Sequence, residues 1–504
     1  MPIAVASQSA CAHAGAAPPR NYFPPTANGA TPTLYRGLPD PVIRALGQTG
    51  VPIGQLGLFI QAVDQPIPLL ALNAEEKFVL ASTAKVVTTL AALDLLGPAY
   101  RWRTEARLLG TIENGRLDGD LLIVGGGDSR LRSEELSKWF AELQSKVLRE
   151  IGGNIVLDRL AFHLTERDQA LAPRPGPERP HHNWPDALSL GDGVLRLQVE
   201  PASGRLAGLS LQPPLADVTL VNEVRMGRGC VAKAEWEQAP ADAIQRQLRV
   251  TGNWGAACGQ HSKAFALLSD SDLTARAVGG LWTQAGGALD GHVIDRSVAE
   301  PVAANAGKPG AAAKAPVAAP LPALFSTLNS QSLPQLVHEI NKTSDNMAAR
   351  ALMLSLSPGF PTKAATAGAS IERMQQWLRT RGVPAGDIEI DSGSGLSRAE
   401  RGKPRAMVQL LRQAWYDKNA RLFVDSLPVA GVDGTLAGRM REGPAVGRAY
   451  LKTGSLLDVR AIAGFVRSRS GRVYAVSALI NHPDAPAATA VLDALVEWVA
   501  ALDR

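Results

Sequence analysis

The sequence predicts a mixed α/β (α+β) fold in which an antiparallel sheet is flanked by helices and interrupted by large inserted β-rich domains. Three observations predict it. A strand–strand–helix unit occupies residues 55–96, two further strands and a long amphipathic helix close the chain, and a β-rich stretch punctuated by Gly and Pro lies between them. At 504 residues the chain exceeds one ordinary core, so two or three domains are expected. A hydrophobic content of 45% with 20% charged residues excludes disorder as a whole.

The elements follow in order. Residues 1–32 read as an unstructured leader, and Val42 to Leu46 as a short helix. Gln55 to Val63 reads as a strand with Pro68 to Leu72 as its hairpin partner. An apolar run then stops at Ser82. Val86, Val87, Leu90, Leu93 and Leu96 recur at helical spacing until Gly97-Pro98 ends the helix. Thr104 to Leu109 and Leu121 to Val124 read as strands, Gly125-Gly126-Gly127-Asp128 as a tight turn, and Ser133 to Ile151 as a helix. The turn lacks the G-x-x-x-x-G-K-[ST] pattern of a phosphate loop. Leu171 to Pro185 is a Pro/Arg-rich loop, Leu195 to Ala266 a small β-rich unit, 271–294 a helix and a strand, and Val302 to Pro322 a low-complexity linker. Helices at Leu333–Ile340 and Met347–Leu356 enclose a turn at Ser344-Asp345-Asn346. A strand at Ile388 opens into a Gly/Ser loop through Arg398, and Leu427 to Thr435 forms another loop. Strands at Tyr450–Ser455, Ala461–Val466 and Val473–Ile480 precede a helix with Val491, Leu492, Leu495, Val496, Trp498 and Val499 on its apolar side.

The net charge of +5, from 52 basic and 47 acidic residues, includes no long basic run or aromatic platform, which argues against nucleic acid. At most it allows a weak peripheral association with anionic membrane surfaces. No apolar run approaches the ~18 residues of a membrane span. The start, Met1 to Pro25, lacks the basic-then-apolar order of an export signal, although Ala12-His13-Ala14 resembles a cleavage site. Cys230 and Cys258 flank a strand-and-turn segment. A disulfide and two buried thiols are equally compatible with that spacing, and Cys11 has no evident partner.

The chemistry gathers in three short patterns. Ser82 sits at the start of its helix, where unpaired N–H groups favour developing negative charge. Lys85 rises on the same face three residues on. A serine hydroxyl needs a neighbouring base, and a lysine amine serves once burial or a nearby cation lowers its pKa. Ser344-x-Asn346 falls in an interhelix turn, and Lys452-Thr453-Gly454 on a strand. Each pattern alone is common. The three in this order, at a helix start, a turn and a strand, resemble the penicillin-recognising serine acyl-transferases, namely the penicillin-binding proteins and serine β-lactamases.

Ser344 lies 262 residues beyond Ser82, whereas Lys452 follows Ser344 by only 108. A large insertion between the first two motifs resembles the class C low-molecular-mass penicillin-binding proteins, the D-alanyl-D-alanine carboxypeptidase/endopeptidase family S13 (DacB type). Asp391–Arg398, Leu427–Thr435 and Leu451–Leu456 carry further likeness. The resemblance covers most of 40–130 and 325–485, and 166–264 only loosely. It implies a penicillin-binding-protein/β-lactamase-like transpeptidase domain at 33–103 and 322–504, an inserted domain II at 104–165 and 265–321, and an inserted domain III at 166–264.

The resemblance also implies roles. Ser82 is the nucleophile, Lys85 the acylation base, Ser344 a proton relay, and Asn346 a holder of Lys85 and the substrate amide. Lys452 is a fixed cation that depresses Lys85 and attracts the substrate carboxylate. Thr453 and Ser455 bind that carboxylate, Gly454 admits the substrate backbone, and the N–H groups of Ser82 and Ser455 form the oxyanion hole. Leu396, Arg398 and Leu456 line the side-chain pocket. The substrate implied is a peptidoglycan stem peptide outside the cytoplasm, so that the enzyme is expected in the periplasm or another extracytoplasmic space. β-Lactams are implied as covalent inhibitors, with no cofactor and no metal. Ala399-Glu400-Arg401 departs from the family's usual pattern. A serine β-lactamase and a non-catalytic cell-wall scaffold are the alternatives, disfavoured by the insertion and by the presence of both Ser82 and Lys452. H-E-x-x-H fails because position 342 is lysine after His338-Glu339, His181-His182 has no evident third ligand, and no G-x-S-x-G surrounds Ser82 or Ser394.

Overall fold

The strand Val473–Asn481 shows how the main sheet is built. Val473, Ala475 and Leu479 point into one apolar cluster, while Tyr474, Val476, Ala478 and Ile480 point into another. Side chains alternate across a strand, so a strand covered on both faces reads as a continuous apolar run. The protein, seen here as a computed structural model, is described for residues 37–165, 168, 185–191, 193–237, 245–265, 268–296 and 322–503. The expected leader, Cys11, His181-His182 and the Val302–Pro322 linker, save for Pro322, lie outside these residues.

The five-stranded sheet runs in the order Ala449–Leu456, Val459–Arg467, Val473–Asn481, Leu56–Ala62, Pro68–Leu72. Every neighbouring pair is antiparallel. The chain's first strand therefore joins its last three, and Ala449–Leu456 ends the sheet on one side. One face packs on helices that include Ala84–Leu95, Leu333–Thr343, Asn346–Leu354 and Pro404–Trp415. The other is covered by Asp40–Gly47 and Thr489–Ala500. In the Ala84–Leu95 helix every residue from Ala84 to Leu93 is buried, so this helix is enclosed on all sides rather than lying at the surface with one polar face. Its polar Thr88 and Thr89 are satisfied, donating to the carbonyls of Gly393 at 2.7 Å and Lys85 at 2.7 Å.

The insertion leaves and returns through one clasp. The Trp102 N–H donates to Ser330 Oγ at 2.9 Å, and the Ser330 N–H donates back to the Trp102 carbonyl at 3.0 Å. With its ends pinned together, the segment between them folds without disturbing the main sheet. It begins with a long hairpin, Arg103–Glu113 and Arg116–Val124, at the centre of a seven-stranded sheet covered by the helices Ser133–Lys146 and Asp270–Gln284. Two three-stranded sheets between Leu195 and Phe265 enclose a separate small core that includes Leu197, Val250 and Trp254.

Two expectations need correction. The helix read as Ser133 to Ile151 ends at Lys146, and Glu150–Ile151 instead pairs with Arg116–Leu117. Leu148 and Ile151 are buried against the sheet, so tertiary packing overrides local periodicity. Leu324–Asn329, grouped by sequence with the main domain, is hydrogen-bonded to Arg103–Arg107 in the inserted sheet. Cys230 and Cys258 form a disulfide. Cys230 pairs with Trp254 across the ladder, and Cys258 follows in the next turn, which brings the two together. Among the described residues no helix is long and apolar enough to cross a membrane.

The cross-link joins residues 28 apart, a loop constraint worth about 3.6 kcal/mol by chain entropy. Replacing both cysteines by alanine lowers the melting transition of the small unit in calorimetry and leaves that of the five-stranded sheet in place. A single transition that moves as a whole would contradict this separation.

Candidate active site

Ser82 lies in the middle of a 3-10 turn, Ala81–Thr83, that feeds directly into the Ala84–Leu95 helix. The residue before it, Ala81, is fully buried with φ +44°, a conformation an alanine holds only when its surroundings impose it. The surroundings are a glycine. A Cβ on Gly395 would lie 1.9 Å from the Ala81 carbonyl oxygen and 2.6 Å from the Ser82 nitrogen, and its φ of +85° suits glycine alone. The Gly/Ser loop thus presses directly on the turn that presents Ser82. Ser82 itself is only partly buried.

Lys85, with no exposed surface, points its amine back at this turn. Nζ is 3.0 Å from Ser82 Oγ, 2.6 Å from Asn346 Oδ1, and donates to the Ser394 carbonyl. Its pKa is lowered to about 7. Burial is the main cause, opposed by the charges of Glu400 and Asp345 and assisted by the Arg350 guanidinium.

The second motif closes the site from above. Ser344 ends the helix Leu333–Thr343 in a left-handed conformation, with φ +61°, and Asp345 caps the next helix by accepting the Ala348 N–H at 2.8 Å. The tight reversal turns the Ser344 hydroxyl towards Lys452, whose Nζ donates to it at 2.9 Å and to the Thr453 carbonyl at 2.9 Å. Lys452 is fully buried, and its pKa is lowered well below the usual value by burial first and then by Lys85. This corrects the fixed-cation expectation in one respect: burial rather than the charge of Lys452 dominates the depression of Lys85, and Lys452 is itself depressed.

Thr453 Oγ1 lies 2.7 Å from Thr435 Oγ1 on the Leu427–Thr435 loop. Gly454 faces the turn closely, since a Cβ there would lie 3.0 Å from the Leu80 carbonyl oxygen and 3.1 Å from the Ala81 Cβ. Ser455 is exposed on the terminal strand. Of the residues expected to line the side-chain pocket, Leu456 packs with Val79, Ala81 and Val459, and Leu396 is half-buried. The Arg398 side chain is half-exposed and ion-paired with Asp458 at 2.5 Å, so it ties the Gly/Ser loop to the strand hairpin.

Several supporting residues escaped sequence reasoning. Lys342 reaches both Asp433 oxygens at 2.7 Å and the Leu427 carbonyl at 2.6 Å, fixing the loop that carries Thr435. Arg130, from the inserted unit, contacts Asp345 at 2.6 Å and Glu339 at 3.1 Å, so the insertion grips the Ser344 turn. Nearby Asp128 is pushed up to about 6, chiefly by burial. Glu400 is fully buried beneath the Gly/Ser loop. Isolated charged residues carry no sequence signal of burial. Only the 427–435 loop had a cue, through its family likeness.

The fold is of the penicillin-binding-protein/β-lactamase class, with Ser82, Lys85, Ser344, Asn346 and Lys452 brought to one cleft from three distant segments. The sequence profile of the D-Ala-D-Ala carboxypeptidase 3 (S13) family matches residues 44–502, and the chain belongs to that family. It is similar to the D-alanyl-D-alanine carboxypeptidase DacB of Haemophilus influenzae, with 24% identity over 84% of this chain and 85% of that protein. A D-alanyl-D-alanine carboxypeptidase of Actinomadura shares 28% identity over 85% of this chain and 78% of that protein. The crystal structure of penicillin-binding protein 4 (dacB) of H. influenzae superposes with a TM-score of 0.66 at 23% identity, covering 88% of this chain and 94% of that one.

Replacing Gly395 by alanine forces the Gly/Ser loop away from the Ala81–Ser82 peptide. It is expected to destabilise the protein by about 2 kcal/mol or more in denaturant titration, on the scale of strained backbone sites. An unchanged midpoint would mean that the turn at Ala81 does not depend on this contact.

Proposed function

We propose that the protein is a serine-type D-Ala-D-Ala carboxypeptidase (and/or DD-endopeptidase) that cleaves peptidoglycan stem peptides through an acyl-enzyme on Ser82. One observation carries the reading: the amine of Lys85, buried and depressed to about 7, is in hydrogen-bond contact with the Ser82 hydroxyl. As a neutral amine it gives its two N–H bonds to the carbonyl oxygens of Asn346 and Ser394. The lone pair is left for the proton of Ser82.

Ser82 Oγ then attacks the carbonyl carbon of the penultimate D-alanine as its proton passes to Lys85. The oxyanion is taken by the N–H groups of Ser82 and Ser455. Collapse breaks the amide bond, and the departing amine receives the proton held by Lys85, passed on through the Ser344 hydroxyl, which Lys452 holds, so that Lys85 is neutral again. Water then attacks the ester as Lys85 takes its proton, and Lys85 returns that proton to Ser82 Oγ as the ester C–O bond breaks and frees the shortened peptide.

The terminal carboxylate sits by Lys452, Thr453 and Ser455. Its arrival supplies a negative charge that favours the charged form of Lys452 and opposes the burial that depresses it. The sheet-end strand offers its free edge beyond Lys452 to the substrate backbone, with Gly454 permitting close approach. Leu396, Arg398 and Leu456 border the donor side chain. β-Lactams mimic the scissile amide and acylate the same hydroxyl. A substrate in the cell wall places the enzyme outside the cytoplasm, with which the Cys230–Cys258 disulfide accords. A peptide ending in D-Ala-D-Ala tests the reading through release of D-alanine.

The base is competent only when neutral, and lowering its pKa moves that form into the neutral range. The acylation rate therefore rises about tenfold per pH unit below pH 7 and flattens above it. Ser82→Ala removes release by about 10³-fold or more. Release that persists in Ser82→Ala, or a rate that is flat through pH 7, would contradict the assignment.

A further inference from the structure

We infer that Glu400 is a positioning residue for the Ser82–Lys85 pair, the buried anchor that holds the Ser394 carbonyl against the lysine amine. The inference rests on the reading of Ser82 as nucleophile and Lys85 as its base.

Glu400 has no exposed surface. Its Oε1 accepts the N–H groups of Gly393 at 2.7 Å, Ser392 at 3.2 Å and Asp391 at 3.4 Å. Its Oε2 accepts the Gly395 N–H at 2.6 Å and the Ser392 hydroxyl at 3.0 Å. The loop on either side of Ser394 is thus wrapped around one carboxylate, in the manner of a backbone anion nest. The main chain of Glu400 works in the same direction: its carbonyl accepts the Leu80 N–H at 2.9 Å, two residues before Ser82. One residue therefore ties down both the loop that contacts Lys85 and the segment that presents the nucleophile.

Four backbone N–H groups, which can only donate, favour the carboxylate form against the burial and the Asp391 charge that push Glu400 upward. Compensation comes from Arg350, also buried, whose guanidinium is lowered to about 10 by burial while Glu400 and Asp391 hold it up.

The charged groups facing Lys85 are Glu400 and Asp345, which favour its protonated form, and Arg350, which disfavours it. Lys452 lies across the cleft. Glu400→Gln therefore has two separable consequences. Loss of the charge lowers the pKa of Lys85 further, shifting the rising limb of the acylation profile to lower pH. The amide NH₂ also faces N–H donors, so the loop shifts and the Ser394 carbonyl leaves the amine, slowing acylation on the plateau. Glu400→Asp retains the charge with a shorter reach, so it loses rate while the limb stays in place.

The experiment is the acylation rate of the purified full chain by a fluorescent penicillin, between about pH 5 and 9, for parent, Glu400→Gln and Glu400→Asp, with folded fractions from near-ultraviolet circular dichroism. The expected result is a plateau about tenfold or more lower in Glu400→Gln, with its limb displaced about half a pH unit or more downward. A Gln variant whose rate per folded molecule and limb match the parent overturns the inference and leaves Glu400 a purely structural residue. If the Gln variant does not fold, the Asp variant decides: slowed acylation with an unmoved limb supports the inference, and the parental rate overturns it. A parent that never acylates overturns the underlying assignment of Ser82 instead, which the parent profile alone reveals.

Discussion

Everything in this structure answers to the burial of one amine. Lys85 has no contact with solvent, and sinking an ammonium ion costs several kcal/mol even after the surroundings relax. The protein resolves that cost by letting the amine approach neutrality near pH 7 and by giving it three oxygen partners from three parts of the chain. Ser82 comes from the 3-10 turn that leads into the lysine's own helix, Asn346 from the start of the helix after the Ser344 turn, and Ser394 from the loop after Ile388–Glu389. None of the three could be placed without the others. The threonines along the Ala84–Leu95 helix, the compressed Gly395 contact and the left-handed Ser344 are the local adjustments that bring them together.

The same logic explains how a large insertion coexists with so tight a site. Its ends meet at the Trp102–Ser330 clasp, so to the main sheet it is equivalent to a short connection. Closing a long loop costs little more than closing a shorter one. Yet the insertion is not merely tolerated. Arg130 reaches from it to Asp345 and Glu339 on either side of Ser344, which couples the inserted unit to the reacting groups through partly buried charges.

The parts of this arrangement that were legible in the sequence are those encoded by short-range pattern. Ser82-x-x-Lys85, Ser344-x-Asn346 and Lys452-Thr453-Gly454 could be found because spacing and secondary structure act locally, and the strands of the main sheet because apolar runs mark them. The rest depends on distant contacts. Ala399-Glu400-Arg401 stands out in the sequence only as a departure from the family's pattern, and the closed fold is what shows five donors converging on Glu400. Lys342 and Arg130 find partners 91 and 215 residues away. The Ser133 helix was read past Lys146 because Leu148 and Ile151 continue its apolar pattern while serving a sheet. Leu324–Asn329 carries no sign of which of two sheets it joins. Cys230 and Cys258 could not be paired by spacing alone, because the strand register between them decides.

The account stands or falls on a covalent bond between Ser82 and its substrate carbonyl. The direct measurement is intact-mass spectrometry of the protein after exposure to benzylpenicillin, followed by peptide mapping of any adduct. The account predicts a lasting adduct of the whole drug on the peptide containing Ser82, absent when Ser82 is replaced by alanine. Rapid consumption of the drug with no lasting adduct would mark a β-lactamase instead, and an adduct elsewhere, or none with the drug intact, would contradict the account.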